Sequence, residues 1–227
     1  MIPIFDLDDT LYSERSFVES GFFAVSKELE RIFGWSTVEI FNEMIFLLSK
    51  YGRGTVFDKI LSKRNKLTKK NIKHCLNIYR YHKPNISLDK TAQMMLENMR
   101  YRPYLVTDGN KLVQANKVRS LNIEKYFKKI YITHRFGIKN AKPSTYFFEL
   151  IKNKEKQDWS NMFYVGDNPN KDFVNLNLIG VKTIRLRQGD YANLVAKKGF
   201  DANYHIDTLE QLPSLIKDIF SDELINK

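Results

Sequence analysis

Acidic side chains that can hold a metal ion are concentrated at the start of the chain. Asp6, Asp8 and Asp9 directly follow the short apolar run of residues 1–5. Carboxylates this close together repel one another, and each loses hydration when it is buried. A divalent cation is the simplest compensation, because hard cations prefer oxygen ligands. The segment therefore predicts a metal site in which one carboxylate acts as a nucleophile beside a carboxylic acid.

Two later apolar runs also end in polar residues. The run 104–106 leads into Thr107 and Asp108, and the run 163–165 leads, after one glycine, into Asp167. Lys142 stands between these runs in the sequence, directly before a proline. Taken alone, each has an ordinary explanation as a turn residue or a surface lysine. Together with the first segment, they indicate a single site that binds both an anion and a cation.

The segments between these runs show two kinds of periodicity. From residue 13 to about residue 82, apolar residues recur at steps of three and four, which predicts helices. From residue 88 onward, helical segments alternate with short apolar strands, which predicts a parallel sheet with helices on both faces. Such sheets bind ligands at the carboxyl ends of their strands, where Asp6, Thr107 and Asp167 stand.

The polar segments resemble the four motifs of the haloacid dehalogenase-like (HAD) hydrolase superfamily. In the family's order they are Asp6-x-Asp8-x-Thr10, Thr107-Asp108, Lys142-Pro143 and the acidic loop within residues 163–172. Each motif alone is weak, but four in order over nearly the whole chain are specific.

The resemblance also implies the domain organisation. It predicts an α/β fold, with a Rossmann-like doubly wound parallel sheet core formed by residues 1–12 and 88–227. Residues 13–87 are expected to form an inserted, all-helical cap of the C1 type, which in the superfamily is a lid over the active site.

The motif positions further imply chemical roles. Asp6 is expected to be the nucleophile, and Asp8 the acid that protonates the leaving group and then activates water. Thr107, the main-chain amides after it at Asp108, and the ammonium of Lys142 are expected to bind the phosphate.

The cofactor implied by the resemblance is Mg²⁺. Its expected ligands are Asp6, the main-chain carbonyl of Asp8, and Asp167. Asp172 is expected to lie near the metal through water or to hold the phosphate-binding lysine, and Asn168 is expected to support the metal ligands.

The predicted function is therefore a phosphatase that acts on a small phosphorylated metabolite through an aspartyl-phosphate. A sugar phosphomutase shares all four motifs and stays an alternative. A haloacid dehalogenase uses the same nucleophile but lacks the second acid, so Asp8 argues against that activity. Arg15 and Arg53, in the predicted cap, are candidates for contact with an anionic leaving group.

Composition limits the remaining classes of function. The net charge is +11, but Lys and Arg are spread along the chain, so a nucleic-acid partner is not expected. No apolar run of membrane-spanning length occurs, and the acidic motif at residue 6 leaves no room for a signal peptide. The single cysteine fits a reducing compartment, so we expect a cytoplasmic protein. The sequence predicts no particular oligomeric state.

Overall fold

The structure is a computed structural model that describes residues 1–225 of the chain. The final two residues of the predicted core segment 88–227 lie outside the described residues. Contacts divide the chain into two units, one formed by Met1–Glu14 with Ser87–Lys227 and the other by Arg15–Ile86. Among the described residues, no helix combines the length and apolar character needed to cross a membrane.

The second unit is entirely helical. Its helices are α1 (Glu14–Phe33), which starts in the last residue before the unit, α2 (Thr37–Tyr51), α3 (Val56–Lys63) and α4 (Lys69–Tyr81). The hydroxyls of Ser36 and Thr68 accept hydrogen bonds from the first turns of α2 and α4, which fixes where these helices begin. Apolar side chains at helical spacing form a core of the unit's own.

The first unit is built on a six-stranded sheet in which every pairing is parallel. Its strands are β1 (Ile2–Phe5), β2 (Tyr104–Thr107), β3 (Lys129–Ile132), β4 (Met162–Gly166), β5 (Lys182–Leu186) and β6 (Tyr204–Ile206). The spatial order is β3-β2-β1-β4-β5-β6. This order confirms the predicted Rossmann-like α/β fold, in which the direction of winding reverses next to β1.

Helices cover both faces of the sheet. They are α5 (Lys90–Asn98), α6 (Lys111–Ser120), α7 (Tyr146–Glu155), α8 (Val174–Leu178) and α9 (Leu212–Ile225). Tyr164 of β4 packs against Phe148 of α7, with ring centroids 5.1 Å apart. Its neighbour Phe163 points to the opposite face, where its ring lies 6.2 Å from that of Phe220 in α9.

The register of the central strands determines where the polar motifs meet. Phe5 of β1 pairs with Leu105 of β2 on one side and with Val165 of β4 on the other. The next residue, Asp6, extends the β4 pairing by donating its backbone N–H to the Val165 carbonyl at 2.9 Å. Asp6 therefore stands at the same carboxyl-terminal edge of the sheet as the ends of β2 and β4.

The packing of α7 against the sheet predicts that replacing two adjacent residues by alanine changes the free energy of unfolding by very different amounts. Ile151 is fully buried in the core of the first unit, whereas Leu150 is 37% exposed. Ile151→Ala is expected to lower the free energy of unfolding by about 2–5 kcal/mol, since it leaves a cavity. Leu150→Ala, the matched control, should cost less than about 1 kcal/mol. Urea denaturation measures both values, and equal losses would contradict the packing described here.

Candidate active site

Three carboxylates converge at the carboxyl-terminal edge of the sheet. Oxygen atoms of Asp6, Asp167 and Asp172 lie within 4.8 Å of one another, and all three residues are buried. Burial, opposed by Lys142, raises the pKa of Asp6 to about 6. Burial, together with the charges of Asp172 and Asp6, raises the pKa of Asp167 to about 9. The three carboxylates thus form a hard, all-oxygen donor set of the type that suits Mg²⁺. The raised pKa values of Asp6 and Asp167 show that their ionised forms are unfavourable here unless a positive charge compensates them.

Lys142 provides part of that compensation. Its Nζ lies 3.0 Å from Asp6 Oδ1 and 2.8 Å from Asp172 Oδ1. It also donates a hydrogen bond to the hydroxyl of Tyr164 at 2.7 Å. Burial disfavours the charged amine, but Asp172 and Asp6 hold the pKa of Lys142 well above its ordinary value. The ammonium is therefore a permanent positive charge in the centre of the site.

The loop after β4 holds Asp172 in place. Its Oδ2 accepts a hydrogen bond from the backbone N–H of Asn168 at 2.9 Å. The side-chain oxygen of Asn168 accepts one from the backbone of Asn170 at 3.0 Å. A Cβ atom at Gly166 would lie 2.7 Å from Asp172 Oδ2, so only glycine leaves room for this carboxylate. Of the two roles predicted for Asp172, the structure provides the contact with Lys142 directly.

The Asp8 side chain is turned toward a different set of partners. Its Oδ1 accepts hydrogen bonds from the Tyr12 hydroxyl at 2.6 Å and from Lys117 Nζ at 2.7 Å. Its Oδ2 accepts one from Gln114 Nε2 at 2.8 Å. Burial would raise the pKa of Asp8, but Lys117 and the other donors hold it below its usual range. The group of three carboxylates does not include the side chain of Asp8, and its predicted part in proton transfer stays a prediction.

Thr107, the last residue of β2, and Asp108, the residue after it, stand at the same edge. Thr107 is fully buried, and its hydroxyl accepts a hydrogen bond from Gln114 Nε2 at 2.7 Å. The Asp108 carboxylate accepts hydrogen bonds from the Thr133 hydroxyl at 2.7 Å and from the Lys142 backbone at 3.2 Å. Burial would raise its pKa, but the nearby lysines, Lys142 foremost, keep the pKa of Asp108 below its usual range. An ionised carboxylate repels phosphate, so only the main chain of Asp108 suits the predicted phosphate contact.

The two predicted arginines belong to the helical unit. Arg15 is paired with Glu19 one turn later in α1, at 2.7 Å. Arg53 lies in an exposed turn between α2 and α3. Their predicted contact with a leaving group stays a prediction.

Sequence reasoning missed several polar residues of the site. Gln114 and Lys117 are three apart on α6 and are 1% and 2% exposed. Their burial identifies them in the structure, but the sequence carries no signal for it, since polar residues on a helix ordinarily face solvent. Tyr164 is missed for another reason, since an aromatic residue in a buried strand is read as core. Lys171, whose Nζ lies 3.5 Å from Asp108 Oδ2, stands within the fourth motif, but its residue type and position indicate no role there.

Comparison with known proteins identifies a family that the sequence matches. A model described as haloacid dehalogenase-like hydrolase matches residues 4–174. The glyceraldehyde 3-phosphate phosphatase of Methanocaldococcus jannaschii is 27% identical over 229 residues, which span 96% of this chain and 98% of the relative. The phosphatase of the same name from Pyrococcus furiosus is 25% identical over 225 residues, or 95% and 92% of the two chains.

Solved structures share the fold along nearly the whole chain. The HAD hydrolase YfnB from Bacillus subtilis, bound to magnesium, superimposes with a TM-score of 0.68 at 16% identity, covering 94% of this chain and 97% of that one. The 2-haloacid dehalogenase from Pseudomonas syringae gives a TM-score of 0.61 at 19% identity, covering 96% and 99%. At these identities the likeness shows the fold alone. The family model, however, covers well over half of the sequence and includes the motifs that meet in the site, and so the chain belongs to the haloacid dehalogenase-like hydrolases.

Proposed function

We propose that the protein is a Mg²⁺-dependent phosphatase that hydrolyses the phosphomonoester of a small metabolite through an aspartyl-phosphate intermediate. The observation that carries this proposal is the buried Lys142 ammonium, shared between Asp6 and Asp172 at 3.0 and 2.8 Å. It places a fixed positive charge directly beside the predicted nucleophile, where the charge of a phosphoryl group develops.

The carboxylates next to Lys142 fit a hard divalent cation. Asp6 and Asp167, with the main-chain carbonyl of Asp8, would hold Mg²⁺, and Asp172 would support the site through Lys142. Bound there, Mg²⁺ would neutralise phosphoryl oxygens and so reduce their repulsion of the carboxylate nucleophile.

In the first half of the reaction, a carboxylate oxygen of Asp6 attacks phosphorus in line with the leaving oxygen. The new O–P bond forms as the ester P–O bond breaks, and the leaving oxygen takes a proton from Asp8. Asp8 is ionised in the free protein at neutral pH because donors surround it. The approach of a phosphate dianion raises the pKa of Asp8, which then takes up from solvent the proton that this step transfers to the leaving oxygen.

In the second half, water attacks phosphorus of the aspartyl-phosphate. Asp8, now a carboxylate, takes one proton of that water, and the bond between phosphorus and the Asp6 oxygen breaks. Inorganic phosphate leaves, and the Asp6 carboxylate is restored. Lys142 and the Thr107 hydroxyl hold the phosphoryl oxygens through both halves.

The names of the similar relatives support a narrower substrate class. Both are glyceraldehyde 3-phosphate phosphatases that match nearly the whole chain. We therefore propose a short-chain sugar or polyol phosphate as the substrate. The dehalogenase alternative is disfavoured because Asp8 is present and is held by three donors. Measurement of inorganic phosphate against isomer formation separates the phosphatase from a phosphomutase.

Replacement of the nucleophile provides the direct test of this function. Asp6→Asn is expected to lower kcat for glyceraldehyde 3-phosphate at least about 10³-fold, because an amide is a poor nucleophile. Release of inorganic phosphate in the presence of Mg²⁺ measures the rate. Asp158→Asn, an exposed aspartate of the same unit, is the matched control and should retain full activity. Appreciable turnover by Asp6→Asn would exclude the covalent mechanism.

The raised pKa of Asp167 makes cation binding dependent on pH. With its pKa at about 9, the carboxyl carries a proton at pH 7, and a cation must displace that proton. Affinity for Mg²⁺ should therefore increase as the pH rises from 6 to 9, with roughly one proton released per ion at pH 7. Calorimetric titration in two buffers of different ionisation enthalpy counts the released protons. An affinity that stays constant over this range would contradict the assignment, and Asp167→Asn should abolish the proton release.

A further inference from the structure

Gln114 connects two of the motifs through a single amide group. Its Nε2 lies 2.8 Å from Asp8 Oδ2, in the first motif, and 2.7 Å from Thr107 Oγ1, in the second. The residue is 1% exposed, so water does not replace either contact. An amide neither attacks phosphorus nor transfers protons readily. The contribution of Gln114 to the proposed reaction therefore lies in these two hydrogen bonds.

The partners of Gln114 determine which way its amide faces. The Asp8 carboxylate is paired with the Lys117 ammonium at 2.7 Å and can only accept hydrogen bonds. The NH₂ group of Gln114 must therefore face Asp8, which uses one of its two hydrogens. The second hydrogen goes to Thr107 Oγ1. Since that oxygen accepts, the hydroxyl hydrogen of Thr107 is left to point elsewhere, toward a phosphate oxygen in the proposed reaction.

The backbone around Gln114 is shaped to leave room for this side chain. Gly109 has a φ of +132°, and a Cβ atom there would lie 3.2 Å from both Cγ and Cδ of Gln114. Asn110 caps α6 by accepting hydrogen bonds from the backbone of Leu112 at 3.0 Å and Val113 at 3.4 Å. One turn after Gln114, Lys117 binds the other oxygen of Asp8. A single helix with a fixed start thus holds both oxygens of that carboxylate.

We propose that Gln114 is a positioning residue that holds the proton-transfer carboxylate of Asp8 and the phosphate-binding hydroxyl of Thr107 in one fixed relation. This inference rests on the proposed function, since it concerns the same site. The residue orients the carboxylate toward the leaving oxygen and directs the Thr107 hydroxyl hydrogen toward the phosphoryl group. It transfers no proton and forms no covalent bond.

The leaving group distinguishes this role from a purely structural one. An alkyl phosphate releases an alcohol and needs a proton from Asp8 in the transition state, whereas p-nitrophenyl phosphate releases a stable phenolate and needs little protonation. Loss of the orientation of Asp8 therefore slows the first substrate far more than the second. A general loss of folded protein lowers both rates by the same factor.

Gln114→Met tests the inference, because methionine has a similar size and no donor. With Mg²⁺ present, kcat for glyceraldehyde 3-phosphate is expected to fall at least about ten times more than kcat for p-nitrophenyl phosphate. Inhibition by inorganic phosphate should also weaken about three- to ten-fold, since the Thr107 hydroxyl is no longer directed. Gln114→Asn keeps an amide that is too short to reach both partners, and it should give the same pattern with a smaller amplitude.

The matched control is Val118→Ala, which removes buried volume from the same helix without touching the site. Val118 is 4% exposed, and its replacement should leave the ratio of the two rates unchanged. If kcat falls by the same factor for both substrates in the two Gln114 variants, the positioning role is overturned, while the phosphatase proposal stays intact. If the wild-type protein hydrolyses neither ester, both proposals are overturned. The wild-type assay is therefore run before any variant is compared.

Discussion

The site depends on one buried ammonium group placed between carboxylates. Lys142 lies within 3.0 Å of Asp6 and 2.8 Å of Asp172, and all three side chains are almost completely removed from water. Breaking a buried pair of this kind by removing one partner costs about 3–5 kcal/mol, because the remaining charge is left without compensation. The lysine therefore offsets a large part of the cost of burying these acidic residues at one edge of the sheet. The same ion pairs therefore contribute both to the stability of the first unit and to the chemistry proposed for the site.

Parallel pairing makes this concentration of charge possible. β1 lies between β2 and β4, so the residues at the ends of these three strands come together although they lie far apart in the sequence. The strands themselves are mostly apolar and buried on both faces, so most polar groups of the site stand at the ends of the strands or directly after them. The same geometry brings α6 to the site, since it begins four residues after β2 ends. Strand order therefore determines which side chains meet.

The sequence contains enough information to predict the sheet, the helical insertion and the residues at the strand ends. These follow from the period of apolar residues and from acidic groups placed where ligands bind. The contacts of Gln114 and Lys117 could not be predicted in this way, because polar residues on a helix ordinarily face solvent and their burial depends on tertiary packing. The hydrogen bond from Lys142 to Tyr164 could not be predicted either, because Tyr164 lies in a strand whose pattern indicates only core packing. The direction in which the Asp8 carboxylate points also depends on these missed partners.

Gly166, at the end of β4, has a consequence for how the sequence can vary. It has no functional group, yet any larger side chain would place an atom 2.7 Å from Asp172 Oδ2 and displace the partner of Lys142. Alanine, the mildest change in chemical terms, is therefore expected to be as poorly tolerated here as the loss of an aspartate. Selection at this position therefore acts on the space beside the Asp172 carboxylate, and not only on the charged residues themselves.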